Sequence, residues 1–183
     1  MAYFYFDFRD INKQHRRDLL PSLITQLSDQ SYRHCDILNR LYLRHGRGAQ
    51  KPSEDELIQC LKDILTLPDQ QPVYLIIDAL DECPDTSGMP SSREQVLDFV
   101  KEFVELSFSN LRLCVTSRPE IDIRRALESL TSLRVSLHEQ SGQRQDIVDY
   151  VTSVVQSDAK MSRWRDEEKN LVIETLSDGA DGM

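Results

Sequence analysis

The sequence predicts an α/β fold built on a parallel sheet. Three observations carry that prediction. Strand-like apolar runs recur at Ala2–Phe8, Val73–Ile77, Leu111–Thr116 and Leu133–His138. Between them lie stretches whose apolar residues fall at helical spacing. Val73–Ile77 is also near-continuously apolar, as a parallel strand covered on both faces would be. Strands alternating with helices in this way give a parallel sheet.

Each element has a local reason. The first run, "AYFYFDF", is aromatic and suits a pleated strand. Asp10 and Asn12 then offer helix caps, and Leu19, Leu20, Leu23, Ile24 and Leu27 form an apolar stripe. Pro21 lies inside that stripe, which predicts a kink or a restart there. Ile37, Leu38, Leu41 and Tyr42 form a second helical face, stopped by "HGRG". Ser53 and Glu56 have capping-box spacing ahead of Leu57, Ile58, Leu61, Ile64 and Leu65. Ser91 or Ser92 caps a helix with Val96, Phe99, Val100, Phe103 and Val104 on one face. A short helix over Ile121–Leu130 leads to the last strand-like run. Beyond Gly142 the pattern is helical only, through Ile147–Val155 and Trp164–Leu176, and "DGADGM" follows with no stop signal. The chain therefore divides into an α/β core over residues 1–140 and the start of a helical unit over 141–183.

Composition narrows the function classes. Of 183 residues, 39% are hydrophobic and 29% charged, so a real core and a solvated surface are both available. The net charge of −9 disfavours duplex nucleic acid and anionic membrane as general partners. It leaves room for a nucleotide, which needs only local positive charge. Cys35, Cys60, Cys83 and Cys114 are widely spaced and form no metal-ligand motif, which reads as reduced, mostly buried thiols in the cytoplasm. The longest apolar run, Met1–Phe6, is too short to span a membrane.

The chemistry concentrates where the Val73–Ile77 strand ends. Asp78 follows it directly, then Ala79, Leu80, Asp81 and Glu82. Open α/β sheets bind ligands at the carboxyl ends of their strands. A carboxylate there suits Mg²⁺, which prefers oxygen and keeps part of its water shell. A small Ala79 lets phosphates approach the backbone, and Asp81 or Glu82 can orient an attacking water. An isolated acid after a strand is more often a solvated turn. The full pattern, an apolar strand then Asp, a small residue, an apolar residue and Asp-Glu, is much narrower.

"LIIDALDE" resembles the extended Walker B signature of NACHT-type P-loop NTPases, in the STAND branch of signalling ATPases. "LRLCVTSRPE" is similar to that family's next strand, with Arg118 at the sensor position. "AYFYFDFRD" with "LLPSLITQL", "RVSLHEQSGQRQDIVDYV" and "SDGADGM" extend the resemblance over nearly the whole chain. It is closest to the nephrocystin-like NACHT modules of fungal NLR-like receptors, which often continue into ankyrin or WD40 repeats. The resemblance implies a three-layer, P-loop NTPase-like parallel sheet followed by the start of a helical subdomain. It implies Asp78 as the Mg²⁺ acid, Asp81 and Glu82 as paired acids near the hydrolytic water with Glu82 as base, and Arg118 as the reader of the γ-phosphate. An always-charged guanidinium that pairs with phosphate oxygens suits that task. It also implies ATP with Mg²⁺ and self-association in the intact protein.

One part of the pattern is absent. G-x-x-x-x-G-K-S/T occurs nowhere in the sequence. The nearest stretch, "GRGAQKP", has Gln50 before Lys51 and Pro52 after it, where Gly and a hydroxyl residue belong. In the resembling family the phosphate loop and its strand stand just before "AYFYFDF". The expectation is thus an N-terminally truncated core that lacks the phosphate-loop strand and does not bind ATP by itself. The runs at Leu111–Thr116 and Leu133–His138 are then expected to lose a shared neighbour. A non-enzymatic interaction module on the same fold remains the alternative. A metal-dependent phosphoesterase finds less support, since His15, His34, His45 and His138 are scattered and read as surface or helix-end residues. If a nucleotide pocket exists, the Asp78 carboxylate must lie beside the tip of the Arg118 strand.

Overall fold

The computed structural model describes residues 1–68, 71–85, 88–136 and 141–179. It divides into two compact units, Met1–Thr131 and Ser132–Met183. The first is α/β. Its sheet contains β1 (Ala2–Tyr5), β2 (Val73–Asp78) and β3 (Leu111–Val115), in that order and all parallel. Between β1 and β2 run α1 (Arg16–Ser28), α2 (Tyr32–Arg44) and α3 (Glu54–Leu65). α4 (Ser92–Glu105) joins β2 to β3, and α5 (Ile121–Leu127) follows β3. In the second unit α6 (Ser141–Ser157) and α7 (Asp166–Gly179) pack on each other.

The caps are those the sequence encodes. Ser53 and Glu56 close a reciprocal box at the start of α3, and Ser91 and Glu94 do the same for α4. Each box satisfies backbone N–H groups that a helix start leaves unpaired. His15 precedes α1 as its cap residue, and its backbone N–H donates to the Asp18 carboxylate at 3.2 Å. Asp10 caps the short turn before it. α1 runs unbroken through Pro21, contrary to the expected restart. Leu19, Leu20, Leu23, Ile24 and Leu27 are buried on both sides of it, so packing outweighs the one missing backbone donor.

The core lies on one side of the sheet. Ala2, Phe4, Val73, Leu75 and Ile77 are buried there in one cluster with Leu23, Leu61, Ile64, Phe99 and Phe103. Each fully buried Leu, Ile or Phe side chain stabilises the fold by roughly 1.5–3 kcal/mol. The opposite side is open: Tyr3 is 53%, Tyr5 44% and Tyr74 51% exposed. Coverage of Val73–Ile77 on both faces, expected from its apolar run, therefore holds on one face only. Strand order supplies the reason. When a parallel sheet advances in one direction, right-handed crossovers put every connecting helix on the same face. A second helical layer arises where the order reverses, and β1-β2-β3 does not reverse.

Other expectations are corrected. Leu133–Ser136 forms no strand, and Leu133 and Val135 are 78% and 60% exposed. The remainder of that run, with His138, lies outside the described residues, as does the end of "DGADGM". His34 is buried, with Nδ1 3.0 Å from the Leu27 carbonyl oxygen, so of the two expected places it takes the helix end, in the first turn of α2, and not the surface. Two of the four cysteines, Cys35 and Cys114, are exposed. Among the described residues no helix is long and apolar enough to cross a membrane.

Candidate functional site

The carboxyl ends of the three strands gather the predicted residues. Asp78 is the last residue of β2, at the exposed rim. The Thr116 hydroxyl, just past β3, donates to Asp78 Oδ1. The Thr116 hydroxyl oxygen itself accepts the Ala79 N–H at 3.1 Å, and the Thr116 carbonyl accepts the Leu80 N–H at 3.0 Å. Thr116 thus fixes the turn that leaves β2. Ala79 sits there at φ 53°, the left-handed region that costs a non-glycine residue energy. The Thr116 contacts offset that cost.

The two following acids are directed apart. Asp81 turns toward β3, where Oδ1 accepts the Arg118 N–H at 3.0 Å and Oδ2 lies 3.5 Å from Arg118 Nε. Its side chain is 10% exposed against 73% for Arg118, so the carboxylate anchors the strand end while the guanidinium remains in solvent. Glu82 turns toward β1, where Oε2 accepts the Phe8 N–H at 3.3 Å. Neighbours in sequence thus serve opposite strands. Phe6 N–H donates to the Asp78 carbonyl at 3.0 Å, which completes the seam between β1 and β2 at this end.

The loop is secured from below by Arg93, in the first turn of α4. Its Nη2 donates to the Asp81 carbonyl at 2.7 Å and its Nε to the Cys83 carbonyl at 2.9 Å. Cys83 is fully buried beside it, and burial pushes its thiol up to about 12, so it stays neutral.

All four predicted residues, Asp78, Asp81, Glu82 and Arg118, therefore meet at one end of the sheet. The Asp78 carboxylate does lie beside the tip of the Arg118 strand. Thr116 and Arg93 were not singled out by sequence reasoning. Thr116 has a faint signal, a hydroxyl residue two places before Arg118. Arg93 has a clearer one, since a cation in a helix's first turn opposes the helix dipole and needs a compensating partner.

Residues 1–118 match the family model described as nephrocystin 3, N-terminal. The chain belongs to the nephrocystin 3 N-terminal family. The matched span holds all three strands of this nephrocystin 3 N-terminal domain and ends on Arg118. No curated protein and no solved structure matches the chain.

Proposed function

We propose that this chain is the hydrolytic portion of a nucleotide-gated switch of the NACHT, P-loop NTPase type. The observation that carries the reading is the grip of Thr116 on Asp78, which sets an exposed carboxylate at the common tip of β2 and β3, next to the Asp81–Arg118 pair. In the proposal Asp78 serves Mg²⁺, Glu82 orients the attacking water and Arg118 meets the γ-phosphate. Arg118 is suited to that part because its guanidinium is mostly solvated. Among the described residues no three His, Cys, Asp or Glu side chains are grouped to hold a metal ion. That suits Mg²⁺ better than a caged ion, because Mg²⁺ binds through one or two carboxylates, water and substrate phosphates. The ion would supply charge neutralisation of the phosphates; the chain's residues orient it and the water.

The switch would work by population shift: ATP favours a self-associating state and slow hydrolysis resets it. Ankyrin or WD40 repeats would be the attached sensors in the intact protein. With no G-x-x-x-x-G-K-S/T loop, the chain alone is expected to bind ATP poorly. Calorimetry with Mg²⁺ and ATP tests this, and micromolar affinity in the isolated chain would contradict it. In a protein joining this chain to a phosphate loop, Glu82→Gln should keep ATP and slow turnover at least about a hundredfold, as removal of an acid-base group does. Unchanged turnover would remove Glu82 from the mechanism.

A second reading, a binding module without catalysis, is favoured by the open sheet face at Tyr3, Tyr5 and Tyr74. Absence of ATP binding even with a phosphate loop attached would select it.

A further inference from the structure

Arg93 makes more contacts than holding one loop requires. It is 9% exposed, and a guanidinium so placed must be compensated by partners. Two of its nitrogens serve the loop after β2, through the Asp81 and Cys83 carbonyls. The third, Nη1, pairs with Asp122 at 3.1 Å and lies 3.6 Å from Asp85. Asp122 stands in the first turn of α5, the helix into which the Arg118 segment leads. The loop and that segment are joined a second time, by the Asp81 carboxylate and the Arg118 N–H. The contacts therefore close a ring: Arg93 to the Asp81 backbone, the Asp81 side chain to Arg118, Arg118 along the chain to Asp122, and Asp122 back to Arg93. In such a ring the acidic loop cannot shift without pulling on the Arg118 segment from both ends.

We propose that Arg93 is a positioning residue that couples the acidic loop to Arg118, so that a phosphate engaging one resets the other. The ligand in this statement rests on the nucleotide reading above; the coupling rests on the contacts alone. The test is amide hydrogen exchange by NMR on the 183-residue chain without nucleotide. The variants are Arg93→Lys and Asp122→Asn, the latter at a side chain that is 45% exposed and therefore tolerant of change. The Arg118 amide should exchange at least about tenfold faster in both, as expected when a charge-assisted link in a local network is lost. The Thr116 amide, bonded to the Ile77 carbonyl at 2.9 Å, should keep its rate and show that the sheet persists. Wild-type exchange at Arg118 in both variants would overturn the coupling. Should Arg93→Lys disturb Thr116 as well, Asp122→Asn decides alone. A second arm titrates Mg²⁺ with ATP or ADP into a protein joining the chain to a phosphate loop. Asp122→Asn should narrow the preference for ATP over ADP, and an unchanged preference would remove Arg93 from the nucleotide response. If neither nucleotide binds the wild type, the nucleotide reading fails while the exchange result still decides the coupling.

Discussion

Individual side chains at this site and in the core differ in accessibility in ways that chemistry can read. Cys35 and Cys114 are exposed, whereas Cys60 and Cys83 are buried and held neutral, burial pushing their thiols up to about 11 and about 12. A disulfide reagent at pH 8 should therefore label two thiols quickly and two only on unfolding, because the thiolate is the nucleophile. Cys114 is on the open face of the sheet, so its prompt labelling also reports that face as uncovered. Slow labelling of Cys114 would mean that something packs on it. Glu56 offers a pH test. The Ser53 backbone N–H, the Ser53 hydroxyl and His45 Nε2 surround its carboxylate and lower its affinity for protons below the ordinary value of 4.5. A carboxyl group lowered on folding stabilises above its unfolded value and loses that contribution as pH falls through its folded value. Thermal unfolding followed from pH 7 downward should thus show an acid-side loss below about pH 4.5 that is weaker in Glu56→Gln. Identical acid limbs would assign the loss to other carboxylates.

At the level of elements, the edges of the sheet are treated differently. The outer edge of β1 is occupied by one side chain of α1, Gln26, and one from the turn just past it, Gln30. Gln26 accepts the Tyr3 N–H at 3.1 Å and donates to the Tyr3 carbonyl at 2.7 Å, while Gln30 donates to the Met1 carbonyl at 2.6 Å. Two side-chain amides thus take the place of a neighbouring strand, a way of blunting an edge that would otherwise pair with another chain. Gln26→Ala should raise Tyr3 amide exchange about tenfold, the loss of roughly one hydrogen bond, while the Phe6 amide, bonded to the Asp78 carbonyl at 3.0 Å, keeps its rate. Equal exchange at Tyr3 in both proteins would show that Gln26 contributes nothing there. Much at this scale was legible in advance. The capping boxes at Ser53 and Ser91, the apolar stripes of α1, α3 and α4, and the run of acids directly after β2 all rest on residues within a few positions of one another. The Gln26 and Gln30 contacts were not legible, since each joins residues more than twenty positions apart.

For the whole molecule, the decisive feature is the convergence of three strand ends on one rim, with Arg118 as an exposed cation there. In a protein joining this chain to a phosphate loop, Arg118→Ala should weaken the response to ATP about tenfold more than the response to ADP, the worth of a charge-assisted contact made only to the γ-phosphate. Equal effects on both nucleotides, read by calorimetry, would count against that contact. By itself the sequence determined the α/β class, the three strands of the sheet, the caps and the position of Asp78, Asp81 and Glu82 at a strand's end. Those depend on local periodicity and on hydrogen bonds between near neighbours. Only the tertiary structure decided which face of the sheet is covered, that Leu133–Ser136 lies outside any ladder, that Asp81 and Glu82 serve opposite strands, and that Thr116 and Arg93 organise the rim. The reason is physical: strand order and the reach of side chains across the fold set those outcomes, and an apolar run reads the same whether one face finds a partner or two.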